Sequence, residues 1–173
     1  TSNNAVILGV IVDRGEKVKI KEIEFEGNEN LSDRKLRKAM KETKRKRIWN
    51  IFKSSKFIRD DYEEDKHKII EKYNQNGYRD ARIVHDTIYK IKDDRIEIDM
   101  TIEEGHKYYF RDITWLGNTK YSNETLSKIL NIQKGDVYDA AYLQERLFLD
   151  PQGGDVSSLY LDNGYLFFDL NPV

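Results

Sequence analysis

The hydrophobic and polar positions of the chain follow a pattern that occurs twice. A shift of 90 residues superimposes Gly15 on Gly105, Ile23 on Ile113, Phe25 on Trp115, Gly27-Asn28 on Gly117-Asn118, Ser32 on Ser122 and Leu36 on Leu126. A shift of 87 superimposes Asn76-Gly77-Tyr78 on Asn163-Gly164-Tyr165. The difference between the two shifts indicates loop insertions between two copies of one structural unit.

Each unit is predicted to open with a β-strand, Lys17 to Glu26 in the first and Lys107 to Leu116 in the second, because both segments are rich in β-branched and aromatic residues. The apolar positions change parity within each segment. In the first unit, Val18 and Ile20 lie on one face of the strand, whereas Ile23 and Phe25 lie on the other. This change predicts a β-bulge, or a strand whose early part packs against a neighbouring unit.

Two helices are predicted to follow the Gly-Asn turn. Ser32 and Ser122 are placed to cap the first helix of each unit. The second helix of the first unit is predicted over Arg59 to Asn76, where apolar residues recur at helical spacing, and Gly77 is placed to end it.

Two further strands complete the first unit. They are predicted over Arg79 to Ile91 and Arg95 to Glu104, joined by a polar turn at residues 92–94. The last strand alternates between apolar and polar residues, with Ile96, Ile98, Met100 and Ile102 on one face. That alternation predicts a strand with one buried face.

The repeat also predicts where the units begin and end. Residues 1–15 overlie the last strand of the first unit, so they are predicted to be the last strand of a preceding unit. Residues 16–105 form a whole unit, and residues 106–173 form a second unit that reaches its second strand but lacks its third. The sequence is therefore expected to be part of a longer array.

Composition narrows the classes of protein. Of 173 residues, 38% are hydrophobic and 35% are charged, which allows small cores with charged surfaces. Thirty basic and 31 acidic residues nearly cancel, so no overall charge favours nucleic acid or anionic membranes. There is no cysteine for disulfides or zinc, and no apolar run long enough to span a bilayer.

Three short motifs resemble the POTRA modules of the BamA/Omp85 family of outer-membrane protein assembly factors. They are Ile23-Glu24-Phe25-Glu26-Gly27-Asn28, Asn76-Gly77-Tyr78 and Glu103-Glu104-Gly105, and the first two recur in the second unit. A long segment between its helices makes the first unit similar to the third module of such proteins, and the second unit would be the fourth. The second unit departs from the pattern at residues 150–155, whose Pro and two Gly predict a break in its second helix.

The resemblance implies an α+β fold of tandem POTRA modules, each ordered β-α-α-β-β, with a three-stranded mixed sheet covered by two helices. It implies a periplasmic arm, followed by a membrane β-barrel, that binds unfolded outer-membrane proteins and accessory lipoproteins. Neither catalysis nor a cofactor is expected. The third strand is expected to be central and the second to lie at the sheet edge.

That edge is the first candidate binding site, with the residues Ile83, Val84, His85, Asp86 and Thr87 at its middle. An exposed edge presents unpaired backbone groups to which an extended polypeptide can add as a further strand. An ordinary edge shielded by its own charges is an equally good explanation, and the mixed polarity leaves the inward-facing side chains undetermined.

The second candidate is the segment between the helices, where four cations at residues 44–47 precede an apolar stretch. Its candidate contact residues are Arg47, Trp49, Ile51 and Phe52. An exposed aromatic anchor would suit a partner protein. A segment that folds back over its own unit explains the same composition.

Other chemistry has weaker support. Ser32-Asp33-Arg34-Lys35 has the S-x-x-K spacing but no companion motif, and Ser32 is expected to be a helix cap. Glu64 and His67 could bring two metal ligands to one helix face, but no second spaced pair accompanies them.

Two alternative functions remain open. A KH-type RNA-binding tandem shares the element order, but the GXXG loop between its helices is missing here. The POTRA region of another Omp85-type transporter, acting in secretion or translocation, shares all the motifs above.

Overall fold

The computed structural model describes residues 8–11, 17–43 and 57–173. The first unit contains, in chain order, β1 (Lys19–Glu26), α1 (Asp33–Ala39), α2 (Arg59–Asn74), β2 (Arg82–Lys92) and β3 (Arg95–Glu103). The predicted α+β class and the order β-α-α-β-β are confirmed.

The three strands form one mixed sheet in the order β1-β3-β2. β1 runs parallel to β3, and β2 runs antiparallel to it. The alternation predicted for β3 is confirmed, because Ile96, Ile98, Met100 and Ile102 are all buried. They pack with buried side chains of β1, α1 and α2, including Ile20, Leu36, Tyr62, Ile69 and Tyr73.

The bulge predicted in β1 is confirmed, because the pairing of β1 with β3 shifts by one residue between Ile20 and Glu22. The extra residue is Lys21. It reverses the parity of the strand, so Ile20 and Ile23 can both be buried although they are three residues apart.

Two serines occupy the predicted cap positions, with different outcomes. The Ser122 hydroxyl accepts a hydrogen bond from the Thr125 amide at 3.1 Å and caps the following helix. Ser32 also occupies the N-cap position of α1, as predicted, but its side chain makes no capping hydrogen bond. In its place, the Asn28 side-chain amide donates to the Leu31 carbonyl and to the Asp33 carboxylate, both at 2.9 Å, and fixes the turn before α1.

Two buried carboxylates tie loops of the first unit to its core. Asp65 on α2 is fully buried and accepts hydrogen bonds from the amides of Lys41, Glu42 and Thr43, at 2.9, 3.0 and 2.5 Å. Glu104, directly after β3, accepts from the Asn30 amide at 3.0 Å. Unpaired amides in these loops would be costly to bury, so each carboxylate stabilises the turn that it binds.

The second unit contains α3 (Asn123–Leu130), α4 (Ala140–Gln144), a π-helical turn (Glu145–Leu149) and α5 (Val156–Leu161). Its core is formed by Leu126, Leu130, Ile132, Leu147 and Val156. The break predicted at residues 150–155 is confirmed, because no helix passes through them. Arg146 crosses from the π-helical turn to the Ile129 carbonyl and pairs with Asp150 at 2.8 Å.

The strand predicted over Lys107 to Leu116 is wrong for this structure, as is the second strand expected shortly before Val173. Tyr109 forms an isolated bridge with Val137, and residues 162–173 contain no strand. A strand needs a neighbour to satisfy its backbone groups. In the first unit β3 is the neighbour of both β1 and β2, and no described segment of the second unit takes that place.

The two units are in contact at the turn that follows α2. The Tyr108 amide donates to the Gly77 carbonyl at 2.9 Å, and the Tyr108 hydroxyl donates to the Asp80 carboxylate at 2.5 Å. Gly77 has a φ of +90°, and a Cβ placed there would lie 2.7 Å from a methyl carbon of Val137. The glycine therefore forms the turn that follows α2 and leaves room for the second unit.

Residues 8–11 are exposed and belong to no strand or helix. The remainder of residues 1–15 lies outside the described part of the chain. The assignment of residues 1–15 to a preceding unit, and the boundaries at 16–105 and 106–173, stay predictions.

Candidate functional site

The sheet of the first unit has two outer strands, and their edges differ. Along β1, the Phe57 amide donates to the Val18 carbonyl at 3.0 Å, just before the strand, and the Arg37 guanidinium donates to the Ile23 carbonyl at 2.9 Å. Both donors come from outside the sheet. The edge of β1 is therefore partly covered by the protein itself.

The edge of β2 has no comparable cover. Within the described ranges, no hydrogen bond joins a backbone group of β2 to a group outside the sheet. Nine of its eleven residues are exposed. The position predicted for this strand, at the edge and beside a central β3, is confirmed, and its outer backbone groups are open to solvent.

The structure assigns a face to each candidate residue of β2. Ile83 pairs with the buried Ile102, so it faces the helices, and Val84 is the extra residue of a bulge. After the bulge, Asp86 is opposite the buried Met100 and also faces the helices. His85 and Thr87 lie on the opposite, solvent-facing side. The bulge at Val84 is the reason that the inward parity was ambiguous in the sequence.

Asp86 is bound by two side chains of α2. The Lys66 ammonium lies 2.9 Å from its carboxylate, and the Tyr62 hydroxyl donates to it at 3.2 Å. Lys66 also pairs with Glu63 at 2.7 Å. These contacts place a network of charged and hydroxyl groups on the helix side of the open edge, at the middle of the strand.

The network shifts the proton affinities of its members. The hydrogen bond and charge of Lys66 hold the pKa of Asp86 below its ordinary value. Burial, together with the Asp86 charge, raises the pKa of Tyr62. Burial opposes the charged form of Lys66, but its bonds to Glu63 and Asp86 outweigh that effect and raise its pKa. Asp86 is therefore an anion and Lys66 a cation at neutral pH.

Sequence reasoning did not assign Lys66 and Tyr62 to the candidate site. Both residues lie within the second helix, which the spacing of apolar residues predicts without indicating which strand residue they contact. The missing information was the register of β2, which decides that Asp86 and not Thr87 faces this helix. The sequence carries no signal for this contact, because the bulge at Val84 hides which residues of β2 face inward.

The second candidate site, with Arg47, Trp49, Ile51 and Phe52, lies outside the described residues. The segments on either side of it are described and bound to the core. Thr43 is buried and donates its amide to Asp65, while Phe57 packs against Tyr62 with 5.5 Å between ring centroids. The proposed role of the segment stays a prediction.

The positions considered for metal or catalytic chemistry have other contacts. Glu64 pairs with Lys68 at 2.7 Å, and Ser32 precedes α1. Over residues 8–11, 17–43 and 57–173, no three metal-ligating side chains of the His, Cys, Asp or Glu type come together in a group that could hold an ion. None of the helices in these ranges combines the length and apolar character needed to cross a membrane.

A family model supports the resemblance noted in the sequence. The chain matches the POTRA model, described as a surface antigen variable number repeat, over residues 18–105 and 108–173. These two matched ranges together cover most of the chain.

Curated relatives and a solved structure are also similar. Outer membrane protein assembly factor BamA of Neisseria meningitidis serogroup B is 29% identical over 174 residues, covering 98% of this chain and 21% of the relative. BamA of Buchnera aphidicola is 21% identical, covering 80% of this chain and 23% of the relative. The crystal structure of Haemophilus influenzae BamA POTRA3-5 superimposes with a TM-score of 0.55 at 19% identity, over 79% of this chain and 54% of that one. The chain therefore shares the fold of that structure. It spans between a fifth and a quarter of the length of the two curated BamA relatives.

Proposed function

Because this chain belongs to the POTRA family, we propose that it is a non-enzymatic, polypeptide-binding part of an outer-membrane β-barrel assembly factor. Its clients are unfolded outer-membrane proteins. An extended segment of the client adds as an extra strand to the edge of β2. Two relatives that carry the name of outer membrane protein assembly factor support this assignment, although they are much longer than the chain.

The observation that carries the proposal is the difference between the two edges of the sheet. β1 has carbonyl groups bound by Arg37 and Phe57, whereas β2 is exposed and lacks such bonds within the described ranges. Backbone groups bind an extended chain with little regard to its sequence, which suits a receptor for many clients. A strand added to β2 would extend the sheet without displacing any described contact.

The proposal includes the setting of the chain. We place it in the periplasm, as part of an outer-membrane protein in which further POTRA modules precede or follow it and a membrane barrel lies C-terminal to them. Residues 1–15 then belong to a preceding module, and residues 106–173 to a module completed by a further strand. Accessory lipoproteins are proposed as additional partners, with the segment containing Trp49 and Phe52 as a contact surface.

Proline substitution at two adjacent residues, Thr87→Pro and Ile88→Pro, tests strand addition. Neighbouring residues of a strand direct their amides to opposite sides, so one substitution removes an amide bonded to β3 and the other removes an outward amide. Circular dichroism identifies the variant that keeps its fold. That variant should bind an unfolded outer-membrane protein, diluted from urea, about tenfold more weakly than the unchanged chain, a difference of about 1.4 kcal/mol. Unchanged binding by the folded variant would contradict the proposal.

A further inference from the structure

Strand β2 is not a uniform edge, because its pairing with β3 shifts at two places. The first shift lies between Ile83 and His85, and the second between Lys90 and Lys92. Val84 and Ile91 are the extra residues. Between them, the six residues His85 to Lys90 pair one to one with Thr101 to Ile96. A bulge bends the strand and interrupts its row of backbone groups, so the regular part of the edge is these six residues.

An added strand requires a row of backbone groups at regular spacing. In a regular strand every second residue directs both its amide and its carbonyl away from the neighbour already paired. Three of the six residues therefore face outward, and they offer three donors and three acceptors. Both bulge residues are partly exposed, Val84 by 37% and Ile91 by 41%. They lie at the two ends of the regular row and limit its length.

On the side of the row that faces the helices, one position is charged and the next is apolar. Asp86 holds the ion pair with Lys66, and Ile88, two residues along on the same side, packs against the core. A side chain of the added strand beside Asp86 meets a charged pair that is partly open to water, with 34% of the Asp86 side chain and 21% of the Lys66 side chain exposed. An apolar side chain there would displace water without replacing its hydrogen bonds. Beside Ile88 an apolar side chain buries apolar surface instead.

We infer that the edge of β2 accepts an added strand over one six-residue window, His85 to Lys90, and that it selects a segment with a polar side chain beside Asp86 and an apolar one beside Ile88. This inference rests on the proposed function and specifies its site. It disfavours any strand that places an apolar side chain beside Asp86. Such strands are also those that would aggregate on an open edge, so the inward-facing charge of Asp86 protects the edge while leaving it usable.

Amide hydrogen exchange on the whole 173-residue chain tests the position of the window. An unfolded outer-membrane protein, diluted from urea, serves as the probe. Exchange should slow at alternate residues between His85 and Lys90 and stay unchanged at Val84 and Ile91. Slower exchange at the bulge residues, or along β1, would overturn the inference while leaving polypeptide binding intact. No slowing anywhere in the sheet would contradict the proposed function itself, and the inference with it.

Two heptapeptides that differ at one position test the selection. In TVTSTVT the side chains of one face are Val, Ser and Val, and in TVTVTVT all three are Val. The serine peptide can place its hydroxyl beside Asp86 and a valine beside Ile88. It should bind the chain about fivefold more tightly than the all-valine peptide in a chemical-shift titration, which corresponds to about 1 kcal/mol. Equal affinities, or tighter binding of the all-valine peptide, would overturn the selection.

Discussion

The ammonium of Lys66 lies 2.9 Å from the carboxylate of Asp86, so a cation on helix α2 is paired with an anion on the exposed strand β2. Lys66→Met should raise the pKa of Asp86 toward its ordinary value, because the first cause of the lowered pKa is removed. The free energy of unfolding should fall by less than about 1 kcal/mol, since both side chains are partly solvated. An NMR titration of the Asp86 carboxyl and urea unfolding measure the two effects.

Lys72→Met is the matched control for that substitution. Lys72 lies on the same helix, and its ammonium binds the side chain of Gln75. The control should leave the pKa of Asp86 unchanged. An equal change of that pKa in both variants would mean that Lys66 acts through general charge and not through the direct contact.

Asp65 gives the chain part of its acid sensitivity. Burial alone would raise the pKa of this carboxyl, but the hydrogen bonds from Thr43 and Lys41 outweigh that effect and lower it from the ordinary value of 3.8. A lowered pKa stabilises the fold above the unfolded-state pKa, and this contribution is lost as the pH falls through the folded-state pKa. Asp65→Asn should therefore flatten the decline in stability below about pH 4.

The same variant should also be less stable at neutral pH. An asparagine side chain has one acceptor oxygen where Asp65 has two, so at least one of the three amides that Asp65 now binds would be left without a partner. The expected loss in the free energy of unfolding is about 3 kcal/mol, the scale of one or two buried donors left unsatisfied. Glu71→Gln, at an exposed position of the same helix, should leave the stability at pH 7 unchanged. Urea unfolding at pH 7 and pH 3 provides the comparison.

Gly77 and Gly164 provide a matched pair for the contact between the units. Both have a positive φ, +90° and +85°, so alanine is strained at either position. A Cβ at Gly77 would also lie 2.7 Å from Val137 and 3.0 Å from the Tyr108 carbonyl, whereas a Cβ at Gly164 meets no atom within 4 Å. Gly77→Ala should therefore cost about 1–3 kcal/mol more than Gly164→Ala, by the overpacking that it adds. Equal costs would mean that the second unit does not constrain this turn.

Local pattern was sufficient to predict much of the first unit. The alternation from Ile96 to Ile102 identified β3, and the parity change after Ile20 identified the bulge of β1. Both signals lie within a single strand and depend only on which side chains are buried. The strand predicted after Lys107 failed because a strand also depends on its neighbour, which local pattern does not report.

The candidate site shows the same limit more clearly. The sequence located the edge strand, but it could not assign Asp86 to the helix side, because the bulge at Val84 moves the side chains from His85 to Lys90 to the other face. The partner Lys66 comes from α2, 20 residues away in sequence. Such a pairing is a tertiary contact, and neither helical spacing nor strand alternation encodes it.

Substitution of Arg37 tests whether the edge of β1 fails to bind a client strand because this side chain covers it. Its guanidinium donates to the Ile23 carbonyl at 2.9 Å and pairs with Asp33 at 3.1 Å, and it lies over the ring of Phe25. Arg37→Met keeps much of the apolar stem but removes the donor that covers β1. The variant should have a second binding site for the unfolded outer-membrane protein, at the edge of β1. Amide exchange in β1 should then slow when the protein binds. Arg34→Met, at an exposed position of the same helix, should keep binding confined to β2. If β1 gains no binding in the Arg37 variant, cover by this side chain is not what distinguishes the two edges.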